Sequence, residues 1–365
     1  MMEKPIILGI ETSCDETAAA IVRNHEVIAE KTTVQILHEQ YGGVVPELAS
    51  RAHERLLMNA VQSTLDDAKL KVNDIDGIAV THGPGLAGAL LVGVSLAKGL
   101  SISTGKPLIG VNHIEGHLWS IDLAAVHVPE PFLALVISGG HTILVKVEGF
   151  GEYQLLGSTR DDAAGELLDK TGRMLGFGFP AGADIDNAAI LNTDIPVKFP
   201  RAKLDDDPFG FSFSGLKTAV LYYLREQYPT ISHSIKGFKS TGYDIPIEMR
   251  NSICAGLMDT VSDMLISSIN NAVYKHSLSS LVICGGVSAS KYLRQKISAY
   301  AKTNGINMFV PPLKYSTDNG AMIANVGCYL FERGNFNEMN LTVEPNLRLA
   351  SGHGSEKVSF SSASK

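Results

Sequence analysis

Leu281-Val282-Ile283-Cys284-Gly285-Gly286-Val287-Ser288 is a short apolar run that breaks at a glycine pair, the form of a buried strand turning into a helix. The first half of the chain contains the same form: residues 77–81 run into Gly83-Pro84-Gly85-Leu86-Ala87-Gly88, and a helix follows to about Ser103. Outward from these two junctions the order of elements also matches. In the first half, strands are expected at 6–12 and 17–22, joined by the polar turn Ser13-Cys14-Asp15-Glu16, with a third at 26–34. A helix follows over 46–65, opened by a proline and carrying Leu48, Leu56, Val61 and Leu65 at helical spacing. The strand 108–111 leads into His113. In the second half, strands are expected at 132–138, 142–147 and 153–159, a helix at 162–175, then the junction at 281–288 and a last strand at 308–310.

A hairpin, a third strand, a helix, a glycine-rich strand-to-helix junction and a final strand are therefore written twice. That duplication is the pattern of the two-lobed α/β fold of actin, the sugar kinases and the heat-shock chaperone ATPases, with an inter-lobe cleft. It predicts an N-terminal lobe over 1–130 and a C-terminal lobe over 131–349. The second lobe is interrupted by an insertion at about 191–245, and a serine-rich tail at 350–365 reads as disordered. The chain's 365 residues are enough for two lobes, and 45% hydrophobic with 19% charged residues is ordinary for a globular protein. A net charge of −7 argues against a surface-wide field for nucleic acid, so any such contact needs a local patch or a partner's surface. The four cysteines are scattered, without metal or disulfide spacing. The opening residues lack a signal-peptide pattern, and Lys98 stops the small-residue run 87–97, so the expectation is a cytoplasmic protein without a membrane span.

The chemistry centres on His113-Ile114-Glu115-Gly116-His117, where two histidines four apart share one helical face and can reach one metal ion. Surface histidines capping a helix would look the same, so a third ligand is needed. Asp318, in Ser316-Thr317-Asp318-Asn319-Gly320, sits at the matching strand-to-helix junction of the second half. Imidazole suits zinc, iron, copper or nickel. The zinc-protease pattern His-Glu-x-x-His does not fit, because Glu115 lies two residues from each histidine, roughly 200° around the helix from the ligand face. Ser138-Gly139-Gly140-His141-Thr142 and Gly285-Gly286-Val287-Ser288 offer backbone N–H groups to an anion, the second at a helix N-terminus. Asp161, Asp162, Glu166 and Asp169 begin a helix, where the dipole favours carboxylates. Asp15 and Glu16 are either metal- or phosphate-handling carboxylates or an exposed acidic turn.

Taken in order, residues 9–17, 113–117, 138–142, 161–166, 211–218, 285–289 and 317–322 resemble the TsaD family, called OSGEP in animals, and the resemblance spans roughly 5–349. These are tRNA N6-adenosine threonylcarbamoyltransferases. The resemblance implies transfer of threonylcarbamoyl from threonylcarbamoyl-adenylate to N6 of adenosine 37, in the anticodon loop of tRNAs reading codons that begin with A. AMP is released. It implies one divalent metal, iron before zinc, on His113, His117 and Asp318. It implies ligand contacts at Val136, Ile137, Ser138, Gly139, Gly140, Asp169, Gly182, Asp186 and Ser290. Asp15 or Glu16 is the expected proton acceptor, and TsaB-type and TsaE-type proteins are the expected partners. Two departures stand out: Ser290 replaces the family's usual asparagine, and Phe179-Pro180-Ala181-Gly182-Ala183 replaces Pro-Gly-Gly-Pro. An ATP-hydrolysing kinase or chaperone of the same fold, or a non-catalytic scaffold, would share the glycine junctions but has no use for the metal triad.

Overall fold

The computed structural model describes residues 4–202, 204, 206–228 and 245–349. The tail expected at 350–365 lies outside the described residues, as does part of the expected insertion.

Two five-stranded sheets repeat one topology. The first contains β1 (Ile6–Glu11), β2 (Glu16–Arg23), β3 (Glu26–Val34), β4 (Gly77–Gly83) and β5 (Leu108–Asn112), in the order β3-β2-β1-β4-β5. The second contains β6 (Phe132–Ile137), β7 (Thr142–Gly149), β8 (Glu152–Ser158), β9 (Ser280–Cys284) and β10 (Asn307–Phe309), in the order β10-β9-β6-β7-β8. In each, the first strand pairs antiparallel with its hairpin partner and parallel with the strand that precedes the glycine junction. Asn24 (φ 51°) and His25 (φ 65°) make the left-handed two-residue turn that matches the twist of β2 and β3, and asparagine tolerates that backbone well.

Alternation along the strands builds three apolar layers. Leu8 and Ile10 face outward from the first sheet, under α1 (Pro46–Ala68) and α2 (Ala87–Thr104). Phe132, Ala134 and Val136 face inward, with Ile7, Ala20 and Val22 from the first sheet, around α3 (His113–Trp119) and α9 (Gly320–Glu332). Leu133, Leu135 and Ile137 face the other way, under α4 (Ala164–Met174), α5 (Gly182–Ile190), α6 (Ser214–Gln227), α7 (Ile247–His276) and α8 (Lys291–Thr303).

The 130/131 division expected from sequence separates the strands but not the packing. α9 comes from the second half and lies on the first sheet. A side chain at Gly9 would strike Gly320 and Ala324, and one at Gly320 would strike Ala19 and Ala20, so glycine on both elements permits the approach. The segment after α9 stays there: Asn337 bridges to Leu108, and the Glu344 N–H donates to the His82 carbonyl at 2.8 Å.

The expected insertion is not a plain linker either. Phe209, Phe211 and Phe213 are buried in the outer core of the second lobe, and α6 follows them. Asp161 was expected to begin a helix; it precedes α4 and instead caps α6, accepting from the N–H groups of Phe213 (2.7 Å) and Ser214 (3.2 Å). By length and composition alone, α2 and α7 are apolar enough to cross a bilayer. Both are packed in this fold. Ala89, Leu90, Gly93, Val94 and Ala97 of α2 are buried, and a side chain at Gly93 would strike Thr12.

Candidate metal centre

β5 ends at Asn112, whose side-chain oxygen accepts from the N–H groups of Ile114 (2.8 Å) and Glu115 (3.4 Å) and so caps α3. His113 is thereby the first helical residue, and His117 follows one turn later on the same face. Their rings meet edge to face with centroids 4.7 Å apart. The matching junction after β10 also ends in an asparagine cap: the Asn319 side chain accepts from the Met322 N–H at 2.8 Å. Asp318 immediately precedes that cap. Its Oδ1 lies 3.1 Å from His117 Nε2 and 3.5 Å from His113 Nε2.

The ligand atoms of the three residues lie within 4.8 Å of one another. Donors at ~2.1 Å from a first-row metal, held at tetrahedral or octahedral angles, sit roughly 3.0–3.4 Å apart. Of the two distances to Asp318, 3.1 Å falls within that span and 3.5 Å just beyond it, and two imidazoles with one carboxylate form a donor set suited to iron or zinc. These residues fit a metal. Glu115 points away, as its spacing predicts: it accepts from the Tyr153 hydroxyl at 2.6 Å.

Two further groups, to which the motif spacing gives no clue, stand behind the triad. Glu11 is fully buried at the end of β1, with Oε2 2.6 Å from Thr81 Oγ1 and 3.0 Å from His113 Nδ1. Ser13 Oγ lies 3.2 Å from the same ring nitrogen. Burial disfavours a charged His113 ring, but Asp318 and Glu11 outweigh it and raise the ring to about 9. Asp318 is pressed in the opposite sense: burial raises it, and the charges of His113 and His117 pull it below the usual carboxylate range. His141, from the second lobe, is pushed down to about 4, first by burial and then by the two neighbouring imidazoles, so it is neutral at pH 7. A signal for Glu11 was present in the sequence, since an acid ending an otherwise apolar buried strand requires an internal partner.

Asp15 and Glu16 are half-buried rather than exposed, and they face the same cleft. Burial, then repulsion from Asp318 and Asp15, raises Glu16 well above the ordinary carboxylate range. Behind their turn, His53 lies 2.9 Å from the Cys14 carbonyl and 2.8 Å from Thr17 Oγ1.

The expected ligand positions fall into two groups. Val136 and Ile137 are fully buried in β6, so only their backbone is available. Ser138 closes a turn, with its Oγ accepting from the His141 N–H at 3.1 Å. Gly139 and Gly140 are exposed, with open space beside their Cα atoms. Gly285 has φ +87°, and a side chain there would strike the Ile137 carbonyl. The adjacent Ser288 hydroxyl is buried without a partner. The other group lies deeper in the second lobe: Asp169 accepts from the Ala181 N–H at 2.8 Å, just before Gly182. Asp186 accepts from the Ser290 hydroxyl and from the N–H groups of Lys291 (3.0 Å) and Tyr292 (3.1 Å).

This corrects one expectation. The glycine turn at 285–286 does not open directly into a helix; a 3-10 turn (Gly286–Ala289) intervenes, and Asp186 and Ser290 already satisfy the first N–H groups of α8. An anion would therefore meet the glycine turns rather than that helix end. Ser290 caps α8 by accepting from the Leu293 N–H at 3.1 Å, a task serine and asparagine perform about equally.

A family model described as "TsaD: tRNA N6-adenosine threonylcarbamoyltransferase" matches residues 26–325. The tRNA N6-adenosine threonylcarbamoyltransferase of Clostridium botulinum (strain 657 / Type Ba4) is 42% identical over 351 residues, covering 96% of this chain and 99% of that protein. The protein of the same description from Salinibacter ruber is 44% identical over 345 residues, covering 94% and 100%. Among solved structures, the activator of 2-hydroxyisocaproyl-CoA dehydratase from Clostridium difficile, with bound ADPNP, superposes with a TM-score of 0.53 at 12% identity, covering 90% of this chain and 96% of that one. HypF in its phosphate- and nucleotide-bound form gives 0.56 at 12% identity, covering 92% and 48%. At that identity the two structures support the fold alone, and it is the two-lobed fold of the actin and sugar-kinase group.

Proposed function

The chain belongs to the TsaD family, the tRNA N6-adenosine threonylcarbamoyltransferases, and we propose that its cleft performs the transfer with His113, His117 and Asp318 as metal ligands. The reaction moves threonylcarbamoyl from threonylcarbamoyl-adenylate to N6 of adenosine 37 in tRNAs that read codons beginning with A. The amine nitrogen bonds to the carbamoyl carbon, the bond from that carbon to the phosphate oxygen breaks, and AMP leaves with the electron pair.

The carrying observation is the convergence of the three ligands from two distant junctions to within 4.8 Å, beside two glycine turns with open backbone. His113, His117 and Asp318 would hold a divalent metal, iron before zinc, which would supply Lewis-acid charge to the transfer. The chain's own groups do the rest. Gly139, Gly140, Gly286 and the unpartnered Ser288 hydroxyl offer donors to the adenylate, and holding it turns attack by a weak amine nucleophile into a matter of orientation. The family resemblance assigns the remaining ligand contacts to Asp169, Gly182, Asp186 and Ser290. Asp15 or Glu16, both half-buried at the turn after β1, is the acceptor of the amine proton.

The partners follow the surface. With a net charge of −7 the chain needs a composite face for the anticodon loop of the tRNA. A protein partner of the TsaB type would supply part of that face. A TsaE-type ATPase and a cytoplasmic location complete the reading.

The test is transfer from synthetic threonylcarbamoyl-adenylate to unmodified tRNA by wild type and His113→Ala, with and without TsaB-type and TsaE-type proteins. Modified adenosine and AMP should appear together and fall to background in the variant. ATP hydrolysis without modified tRNA under every condition would instead support the kinase-like or scaffold alternative.

A further inference from the structure

The two imidazoles of the triad are held differently. His117 Nε2 faces Asp318, while among the described residues its buried Nδ1 has no hydrogen-bond partner. His113 is backed by Glu11. That carboxylate accepts from the Ser13 N–H and from the Thr81 hydroxyl at 2.6 Å, and its Oε2 lies 3.0 Å from His113 Nδ1. An ionised carboxylate can only accept, so an unprotonated Nδ1 would set a lone pair against a buried negative charge. The stable assignment is Nδ1–H donating to Glu11, so the proton that a metal would replace is the one on Nε2, on the Asp318 side.

We propose that Glu11 is a positioning residue for the metal centre: it selects the His113 tautomer and ring orientation, and Thr81 in turn holds Glu11. The inference rests on the metal-centre reading above. Glu11 lies in the first sheet next to β4, which supplies Thr81, so the rigid part of the site is the first lobe. Among the described residues His117 Nδ1 has no such backing group, so carboxylate support falls on His113. Carboxylates that back a metal-bound histidine typically contribute 10–100-fold to metal affinity.

The experiment measures Zn2+ and Fe2+ affinity by chelator competition for wild type, Glu11→Gln, Thr81→Val and His113→Ala, with the His113 tautomer read by NMR of 15N-histidine protein. Glu11→Gln should weaken both metals about 10–100-fold and lose the Nδ1–H signal. Thr81→Val should weaken them less and keep that signal, and His113→Ala should abolish binding. Wild-type affinity and an unchanged tautomer in Glu11→Gln, with binding lost in His113→Ala, would overturn the inference and leave the metal centre standing. Failure of wild type to bind either metal would overturn the metal reading itself. Should Glu11→Gln not fold, Thr81→Val decides, because it removes the support of Glu11 without touching His113; unchanged affinity there counts against the inference.

Discussion

The two halves share a strand order, yet their glycine junctions have opposite fates. After β4 the turn is closed by the chain itself. A side chain at Gly83 would strike the Glu344 carbonyl, the Gly85 N–H donates to Pro345 O at 3.1 Å, and the Leu86 N–H donates to Ser13 O at 2.8 Å. After β9 the equivalent turn is closed at Gly285, where a side chain would strike the Ile137 carbonyl, but open one residue on: the nearest atom to a side chain at Gly286 is a Thr317 methyl at 3.8 Å, and among the described residues the Ser288 hydroxyl has no partner. The junctions after β5 and β10 differ in another way. Both end in an asparagine cap, but the ligand follows the cap in the first half (His113) and precedes it in the second (Asp318). Repetition supplied two similar frames that then diverged: the first glycine turn is packed against other parts of the chain, while the second leaves backbone uncovered at Gly286.

The sharpest consequence concerns the first-lobe ligand. The folded protein holds the His113 proton up to about 9, against about 6.5 for a free histidine. A raised pKa stabilises the fold fully below the unfolded value and loses that contribution as pH rises through the folded one. The metal-free protein should therefore melt at progressively lower temperature from pH 6.5 to 9. Metal must displace the same proton, so affinity should climb about tenfold per pH unit over that window, roughly a hundredfold between pH 7 and 9. Melting curves and chelator competition on one pH series should run in opposite directions. Parallel trends would remove His113 from the ligand set.

The glycine contrast can be broken by a pair of variants. Gly83→Ala forces a side chain against backbone and should cost about 1–3 kcal/mol of stability, read as urea midpoint, with little change in KM for the adenylate. Gly286→Ala should leave stability within about 0.5 kcal/mol and raise that KM about tenfold. If both variants changed only stability, the second junction would be as structural as the first. A smaller effect is expected at α8. Asp186→Ala removes the acceptor from three groups and should cost about 0.5–2 kcal/mol, whereas Ser290→Asn keeps the cap and should shift stability by less than about 0.5 kcal/mol.

Much of this was legible in the sequence because local pattern and final position coincide there. Alternating strands, the paired glycine junctions and His-x-x-x-His each carry their own geometry, and Asp318 was found through the repeat. Other features depend on partners far away in the chain. α7 is buried around most of its circumference, so it has no apolar stripe to read. Asp161 has the look of a helix-starting acid, yet the helix it serves begins more than fifty residues later, at Ser214. The first N–H groups of α8 resemble an anion site until Asp186 is seen to fill it. Glu11 passes for a strand residue until Thr81 and His113 are placed beside it.

The placement of α9 has a consequence for how the protein is made. Ribosomes deliver β1 to β5 first, but the inner face of their sheet is covered by residues 320–332, close to the end of the chain. A nascent chain halted after β10 would hold every strand of the two described sheets and still leave the surface around Gly9 and Ala20 bare, with the turn at Gly83 open. The lobe that is synthesised first is thus completed last, and His113 and His117 wait for Asp318 to arrive with the segment that finishes it.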